Sequence, residues 1–254
     1  NDILSDLDKS KFSHENLSSK GSVKIFSKGT SIEHQSQVKS CIDYIYQGEI
    51  FQANLSRLWR FKIDEELTDF DIYRKLREKN PAPFAGIVRY KKSSIISSSP
   101  ERLISISGDH LQTRPIAGTR PRGTSGIVDV ELTRELINSD KEKAEHLMLV
   151  DLERNDISKV CEPGSVKVDE MMSIETYAHV HHIVSNISGK KRKNINPGEI
   201  IKSVFPGGTI TGCPKVRCME ILAELEKEGR GPYTGSFGYV THSGNMDINI
   251  LIRT

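Results

Sequence analysis

Two glutamates with helical spacing form the first candidate site. Glu142 and Glu145 stand at i and i+3 of a predicted helix, so their carboxylates share one face of it. Leu149 continues that face, and a carboxylate pair on a partly apolar stripe is costly unless a cation neutralises it. Mg2+ takes oxygen ligands and is usually held by one or two carboxylates. The spacing therefore supports a Mg2+ site, and the competing interpretation is a solvated helix face beside Lys141 and Lys143.

A third glutamate stands at a junction between two predicted strands. Glu101 follows Pro100 in the stretch SSSPERLISIS. A carboxylate at such a junction can project into a cleft. A glutamate on a surface turn is the alternative, and this stretch alone does not separate the two interpretations.

Two glycine-rich segments could bind an anion. Residues 113–123 read TRPIAGTRPRG, a rigid and irregular backbone whose N–H groups and guanidinium groups can face an anion. Its arginines are Arg114, Arg120 and Arg122. Residues 205–215 read FPGGTITGCPK, in which three glycines lead into Pro214 at the start of a predicted helix with free N–H groups. Lys215 adds a point charge there, and solvated loops are the alternative for both segments.

The bulk composition narrows the functional classes. The chain has 254 residues, and its 36 Lys and Arg against 34 Asp and Glu give a net charge of +2. This balance provides no global field for nucleic acid or a membrane surface, and no apolar run approaches the length of a membrane span. The C-x4-C pair of Cys213 and Cys218 has no histidine beside it and does not match a zinc site. Reduced cysteines of a cytoplasmic protein are the simpler interpretation.

Periodicity and turn residues predict the elements that must position these side chains. Helices are predicted from about residue 36 to Gly48, over 70–78, from Ser139 through 157, and from Pro214 to about Lys227. Ser139-x-x-Glu142 is typical of a capping box. Strands are predicted at 86–91, 94–98, 102–107, 110–114, 166–172, 234–240 and 246–254, and a histidine-rich stretch lies at 177–189. Because the strands form hairpins with helices spread between them, we expect an α+β fold of antiparallel sheets.

Seven motifs follow one another along the chain. They are IFQANLSR (50–57), SPER (99–102), TRPIAGTRPRG (113–123), AEHLMLVDLERND (144–156), FPGGTITGCPK (205–215), RGPYTGSFGY (230–239) and MDINILIRT (246–254). In this order they resemble the chorismate-utilising synthases, which comprise anthranilate synthase component I, aminodeoxychorismate synthase component I, and the isochorismate and salicylate synthases. The resemblance spans about residues 36–254. It implies an α+β fold in which antiparallel sheets pack face to face with helices outside.

The resemblance also implies roles for the charged residues of these motifs. Glu101 would be the general acid that protonates the departing C4 hydroxyl of chorismate, which suits an acid with a raised pKa in a closed cleft. Glu145 would be a ligand of Mg2+, with Glu142 close by, and the metal would hold the ring carboxylate as a Lewis acid. Lys215 would contribute charge near the metal.

Further residues would form the substrate pocket of such an enzyme. Tyr233 and Arg253 would hold the enolpyruvyl carboxylate of chorismate, since an arginine fork suits a bidentate anion. Gly118 and Thr119 would line the ring pocket, and His182 would lie beside it. Of these residues, Thr119 and His182 are candidates for a catalytic role.

Two positions bear on the reaction. The isochorismate and salicylate synthases activate water with a lysine at the position of Gln52, and an amide cannot serve as that base, so ammonia is the expected nucleophile. Many aminodeoxychorismate synthases carry, at the position of Ala117, a lysine that attacks chorismate at C2. A methyl group cannot be a nucleophile, so Ala117 excludes that covalent route.

Three motifs favour one branch of the ammonia-using synthases, and Ala117 favours the other. FPGGTITG, RGPYTGSFGY and IFQANLS resemble aminodeoxychorismate synthase, whereas Ala117 resembles anthranilate synthase. The expected function is amination of chorismate at C4, towards p-aminobenzoate and folate, with formation of anthranilate as the alternative. A catalytically inactive chorismate-binding or regulatory subunit is the alternative from another functional class.

The resemblance implies a glutamine amidotransferase partner that supplies ammonia, because the sequence offers no nucleophilic cysteine with a histidine partner. Family members continue beyond the motif that ends here at Thr254, with a segment that completes the metal site. We therefore expect residues 32–254 to be the chorismate-binding catalytic domain of a longer cytoplasmic polypeptide. Residues 1–31 are polar and aperiodic, which indicates a linker or the remnant of an N-terminal region.

Overall fold

The computed structural model describes residues 23–28, 30–63 and 67–254. Its helices are α1 (Ser31–Tyr46), α2 (Asp69–Lys79), α3 (Gly126–Asn138), α4 (Asp140–Ser158), α5 (Pro197–Val204) and α6 (Lys215–Leu225). A 3-10 turn spans Gly208–Ile210. Within the described ranges, no helix combines the length and the apolar character that crossing a membrane requires.

The strands pair antiparallel throughout. They are β1 (Val23–Lys28), β2 (Gln52–Ala53), β3 (Trp59–Ile63), β4 (Phe84–Tyr90), β5 (Ser93–Ser99), β6 (Arg102–Ser107), β7 (His110–Thr113), β8 (Ile116–Pro121), β9 (Lys167–Thr176), β10 (Val180–Lys190), β11 (Gly212–Cys213), β12 (Gly238–Val240) and β13 (Met246–Asn249). One seven-stranded sheet runs β12–β13–β6–β7–β10, and both β8 and β9 also pair with β10. The pairs β1–β3, β2–β11 and β4–β5 form three smaller sheets.

Strand β10 organises one half of the large sheet. β7 and β8 lie end to end along one of its edges, since Ile187 faces Thr113 and Val184 faces Ile116. The break between them falls at Pro115, which has no N–H to donate to the ladder. β9 pairs along the other edge, and all residues of β10 except its two ends are buried. Strand β10 therefore fixes the positions of the β8 residues that pair with it.

The main core lies between this sheet and the helices α4 and α5. Ile104, Leu111 and Ile187 of the sheet share one buried cluster with Ile157 of α4 and Ile200 of α5. All five are at most 1% exposed, and burial of such a side chain contributes about 1.5–3 kcal/mol. This packing holds α4, and with it Glu142 and Glu145, in a fixed position against the sheet.

The expected α+β fold of antiparallel sheets is confirmed, and so are the four predicted helices. The sequence analysis did not predict the helices α3 and α5 or the strands β2, β3, β8 and β11. A proline- and glycine-rich composition suggested an irregular backbone at residues 116–121, but β10 supplies the ladder partner that makes this segment a strand. Strand β1 lies within residues 1–31, where a linker was expected, and it forms because it pairs with β3. Residues 1–22 lie outside the described residues, so the boundary at residue 31 stays a prediction.

The predicted capping box of α4 forms only in part. The side chain of Ser139 accepts a hydrogen bond from the backbone N–H of Glu142 at 3.4 Å, as expected for an N-cap. The carboxylate of Glu142 takes a different partner, Nη1 of Arg120, which lies 3.4 Å from its Oε1. The carboxylate of Glu142 therefore contacts β8 and does not complete the capping box.

A buried ion pair ties the glycine-rich segment 205–215 to β2. Arg230 donates two hydrogen bonds to Glu226, at 2.8 and 2.6 Å, and their side chains are 14% and 8% exposed. The same guanidinium donates to the carbonyl oxygens of Ile210, at 2.9 Å, and Asn54, at 2.5 Å. One side chain thus joins the loop before α6 to the segment after β2.

We predict that Arg230→Met lowers the free energy of unfolding by about 3–5 kcal/mol, because it leaves Glu226 buried without its cation. The matched control is Arg60→Met, which breaks the exposed pair with Glu228 (46% and 58% exposed). That change should cost less than about 1 kcal/mol. Urea denaturation followed by circular dichroism measures both, and equal losses for the two variants would contradict the structural role of Arg230.

Candidate functional site

A β-bulge at Gly118 lies at the centre of the candidate site. In the ladder between β8 and β10, His182 faces Thr119 and Ile183 faces Ala117, so Gly118 is the extra residue. Its φ of +71° is a conformation that glycine adopts without strain. A Cβ at this position would lie 2.9 Å from Cδ1 of Leu136 and 3.1 Å from Oε2 of Glu142. The bulge therefore brings β8 directly against α3 and α4.

The bulge also aligns a threonine with a histidine. Oγ1 of Thr119 lies 2.9 Å from Nδ1 of His182, and the other ring nitrogen, Nε2, is buried without a hydrogen-bond partner. Burial lowers the pKa of His182; the backbone of Gly118 partly offsets this, and the positive charge of Arg253 lowers the pKa further. The ring of Tyr177 meets the imidazole edge-on, with 5.7 Å between the ring centroids. The imidazole is thus held in place by Thr119 and Tyr177, and burial favours its neutral form.

The two glutamates of α4 face different neighbours. Oε1 of Glu142 pairs with Arg120, and its Oε2 lies against the backbone of Gly118. Oε1 of Glu145 accepts a hydrogen bond of 2.9 Å from the side-chain amide of Gln52. Both glutamates are partly buried. Two carboxylates from α4 therefore face the segment that carries the bulge and the end of β2.

The donors of this pair are suited to Mg2+ when other ligands complete the shell. Glu142 and Glu145 offer carboxylate oxygens, the ligands that this ion prefers, and Mg2+ commonly keeps several waters or substrate oxygens. Among the described residues no group of three or more His, Cys, Asp or Glu side chains is placed to hold a metal. The pair therefore suits an ion shared with a ligand.

Glu101 is a buried carboxyl with an unmatched oxygen. The residue is 4% exposed, and its Oε1 has no hydrogen-bond partner. Burial raises the pKa of Glu101 to about 7; the hydroxyl of Thr209 and the backbone N–H of Ile116 reduce this rise. The Thr209 hydroxyl lies close enough to lower the pKa, yet it makes no hydrogen bond of ordinary geometry, so we regard its effect as weak. At neutral pH this carboxyl can therefore exist in both protonation states.

The other predicted residues are distributed around this centre. Ala117, 6% exposed, points its methyl group into the protein beside the bulge. Arg253 has a φ of +53°. Its positive charge lies near enough to His182 to lower the pKa of the imidazole. Tyr233 is 39% exposed, with the guanidinium carbon of Arg230 5.9 Å from its ring centre.

Lys215 makes its contacts away from the two glutamates of α4. Its ammonium group pairs with Asp156 and donates to the carbonyl oxygen of Val204 at 2.8 Å. Asp156 is 3% exposed, so the pair is buried. The structure thus brings Gln52, Gly118, Glu142 and Glu145 together, whereas the charge of Lys215 is already balanced by a partner within the protein.

Sequence reasoning missed two functional features of the site. The role of Arg120 as the partner of Glu142 depends on β8 being a strand, which the composition did not reveal. Glu153 is 8% exposed and belongs to the motif AEHLMLVDLERND, but nothing in its spacing distinguished it from a solvated helical glutamate. The pairing of Glu153 with Thr113 on β7 could be found only in three dimensions.

Comparison with known proteins identifies the family. The sequence profile of the family described as "chorismate binding enzyme" matches residues 4–254, so the chain belongs to this family. An "anthranilate synthase component I-like protein" of Synechocystis is 48% identical over 222 residues, which are 87% of this chain and 46% of that protein. "Aminodeoxychorismate synthase component 1" of Bacillus subtilis is 49% identical over 217 residues, 85% of this chain and 46% of that protein.

A solved structure supports the same assignment. The crystal structure of anthranilate synthase component I from Streptococcus pneumoniae superposes with a TM-score of 0.81 at 35% identity. The superposition covers 92% of this chain and 51% of that chain. The chain thus spans about half the length of the curated relatives named above.

We predict that Gly118→Ala destabilises the protein more than Gly108→Ala, although both glycines have positive φ, +71° and +65°. Both variants force alanine into a left-handed conformation, which costs about 1–2 kcal/mol. A Cβ at Gly108 meets nothing within 4 Å, whereas a Cβ at Gly118 meets Leu136 and Glu142. The crowding should add about 1–3 kcal/mol at Gly118. Urea denaturation compares the two free energies, and equal values would show that the bulge is not tightly packed.

Proposed function

We propose that this protein is component I of an aminodeoxychorismate synthase, which aminates chorismate at C4. The observation that carries the proposal is Glu101: a buried carboxyl with a pKa raised to about 7, beside the bulge segment, and with an oxygen that no protein group satisfies. A carboxyl of this kind can donate a proton at neutral pH, as general acids in enzymes do.

The proton of Glu101 would go to the C4 hydroxyl of chorismate. As ammonia forms its bond to C4, the C4–O bond breaks and the oxygen leaves as water with the proton of Glu101. The new ammonium group releases one proton, so the overall reaction consumes chorismate and ammonia and yields the aminated product and water. A protonated Glu101 assists because the departing group is water rather than hydroxide.

The surroundings of Gln52 support ammonia rather than water as the nucleophile. The side-chain amide of Gln52 donates to Glu145, and an amide has no basic nitrogen with which to deprotonate water. Nδ1 of His182 is held by the hydroxyl of Thr119 at 2.9 Å. We propose that Thr119 and His182 orient the ring of chorismate, and that Gly118 and Ala117 provide close packing against it.

We propose that Tyr233 and Arg253 hold the enolpyruvyl carboxylate, and that Glu145 and Glu142 hold Mg2+. When bound, the ion would supply positive charge for the ring carboxylate of the substrate. Arg120 pairs with Oε1 of Glu142 at 3.4 Å, so Oε2 is the oxygen of this carboxylate that would face the ion. Lys215 neutralises Asp156 and would contribute only at longer range.

A second candidate function is anthranilate synthase component I, which Ala117 favours. The side chain of Ala117 is a buried methyl group, 6% exposed, and a methyl group cannot attack chorismate. Ammonia would then attack C2 of chorismate instead of C4. The anthranilate synthase component I-like protein and aminodeoxychorismate synthase component 1 are about equally similar to this chain, at 48% and 49% identity. The motifs FPGGTITG and RGPYTGSFGY are the reason that we prefer amination at C4.

We propose that ammonia comes from a glutamine amidotransferase partner. The four cysteines of this chain are Cys41, Cys161, Cys213 and Cys218, and burial raises the pKa of each thiol. A thiol with a raised pKa is a poor nucleophile, so none is suited to release ammonia from glutamine. Four free cysteines also support a location in the cytoplasm, which we include in the proposal.

The product of the reaction tests the proposal. The full-length protein is incubated with chorismate, Mg2+ and an ammonium salt, with and without a separate aminodeoxychorismate lyase. We expect p-aminobenzoate only when the lyase is present. Fluorescent anthranilate without the lyase would replace our assignment by the second candidate, and chorismate that remains unconsumed would favour an inactive binding subunit.

We predict that kcat falls as the pH rises through about 7, because Glu101 must be protonated to act and its raised pKa places the loss of its proton there. Glu101→Gln should lower kcat by roughly 100-fold or more, remove this dependence on pH, and leave the KM for chorismate nearly unchanged. Glu220→Gln is the control, since this glutamate is 58% exposed on α6. A Glu101→Gln variant with the activity of the wild type would exclude Glu101 as the acid.

A further inference from the structure

Glu175 of β9 lies directly opposite His182 in the ladder between β9 and β10. The register of this ladder is regular from Ser173 to Thr176, so the two side chains leave the same face of the sheet. The Cβ atoms of such cross-strand partners are about 4.5–5.5 Å apart, within reach of a hydrogen bond between a carboxylate and an imidazole. Nε2 of His182 nevertheless makes no hydrogen bond within the described residues, and Nδ1 is held by Thr119.

Both carboxylate oxygens of Glu175 are already engaged by other residues. Oε1 accepts a hydrogen bond from the guanidinium of Arg114, and Oε2 accepts one of 2.6 Å from the hydroxyl of Tyr177. Burial and the neighbouring Glu175 raise the pKa of Tyr177 to about 12, so this hydroxyl keeps its proton at neutral pH. The carboxylate opposite His182 is therefore bound to partners other than the imidazole.

Arg114 reaches Glu175 from the other edge of β10. It lies between β7 and β8, which pair with one edge of β10, whereas Glu175 belongs to β9 at the opposite edge. The guanidinium of Arg114 therefore crosses β10, and its Nη1 also lies 3.0 Å from Oε2 of Glu170 on β9. Because a second carboxylate of β9 holds the arginine, its position does not depend on Glu175 alone.

Tyr177 contacts both the carboxylate and the imidazole. Its hydroxyl binds Glu175, and its ring meets the ring of His182 edge-on, with 5.7 Å between the centroids. Its backbone N–H donates to the carbonyl oxygen of Val180 at 2.8 Å, where the chain turns from β9 into β10. The turn fixes the backbone of the tyrosine, so its hydroxyl is held in reach of Glu175.

We propose that Arg114 and Tyr177 restrain Glu175 so that Nε2 of His182 stays open to chorismate. Once released, the carboxylate would accept a hydrogen bond from the imidazole opposite it, and the substrate would have to displace that bond. Arg114 and Tyr177 are positioning residues in this arrangement, because they act through Glu175 and not on the substrate. The inference rests on the proposed role of His182 in orienting the ring of chorismate.

The charges around His182 give the restraint a second readout. Burial has the largest effect on the pKa of the imidazole; the backbone of Gly118 and the side chains of Arg253, Glu175 and His181 act on it as well. Within the described part of the chain, Glu175 is the one anionic group among them. Because a carboxylate bound to an imidazole favours its charged form, release of Glu175 should raise the pKa of His182.

The variants Tyr177→Phe and Tyr44→Phe form a matched pair that tests the restraint in the full-length protein. Each loses a hydroxyl that faces a glutamate, but Tyr44 lies on α1 and faces Glu224 at 3.4 Å. In Tyr177→Phe the KM for chorismate should rise roughly 10-fold, because the substrate must displace a hydrogen bond to a charged group, and kcat should change less than about twofold. Titration of His182 by NMR of labelled histidine, without substrate, should show a raised pKa. Tyr44→Phe should match the wild type in both measurements.

A second substitution separates this restraint from a purely structural role. Glu175→Ala removes the carboxylate, so its combination with Tyr177→Phe should restore the KM and the His182 pKa of the wild type. Arg114→Met frees the other oxygen of Glu175 and should give the same raised KM and pKa, which Glu175→Ala should again reverse. A variant that merely damages the fold would not be repaired by a further loss of contacts.

Several outcomes would overturn the inference. An unchanged KM and an unchanged His182 pKa in Tyr177→Phe would show that its hydroxyl does not restrain Glu175, and losses that Glu175→Ala does not reverse would show a structural role alone. Should Tyr177→Phe fail to fold, Arg114→Met and its reversal carry the test. The NMR titration needs no substrate, so it decides the restraint separately; a wild-type protein that does not consume chorismate would instead remove the proposed function.

Discussion

The bulge at Gly118 is the constraint on which the arrangement of the site depends. It inserts one residue into β8, while β10 pairs with β7 and β8 along one edge and with β9 along the other. The consequence is that Thr119 meets His182 while the backbone of Gly118 lies against Glu142. Without the extra residue the alternation of the strand would turn one of these neighbours away. A Cβ at this position would press against the ends of the Leu136 and Glu142 side chains, and so glycine fits both the backbone and the space.

A second constraint is electrostatic and involves the buried acids. The pKa of Glu101 is raised to about 7 and that of Glu153 to about 8, from an ordinary value of 4.5. An acid with a raised pKa in the folded state holds its proton where the unfolded chain has lost it. Stability therefore falls as the pH rises above about 4.5, and this loss levels off above about 7 and 8. The same burial that keeps Glu101 able to donate a proton thus weakens the fold in alkaline solution.

Local patterns predicted most of the framework and only part of the site. Helix α4 was predictable because Ser139 caps it and its motif residues carry helical spacing, and the hairpin between β6 and β7 followed from its turn. Strand β8 was not predictable, because its glycine and prolines are typical of a loop and its ladder partner β10 lies more than sixty residues away in the sequence. The pairs Arg120–Glu142 and Thr113–Glu153 depend on that long-range pairing or on helix packing, and no spacing rule could reveal them.

Buried polar groups with partners and buried polar groups without them have different roles in this protein. Arg230 with Glu226 and Lys215 with Asp156 are buried charges with full partners, and they hold segments of the chain together. Buried side-chain atoms without any partner in the described residues belong to His34, Glu101, His146, His182, Ser188, Thr209 and Ser236. Three of these seven, Glu101, His182 and Thr209, surround the bulge segment. An unmatched buried polar atom costs about 1–3 kcal/mol, and a fold tolerates several around one site most readily where a ligand completes them. The pattern of unmet hydrogen bonds therefore points to the same place as the motifs, on independent physical grounds.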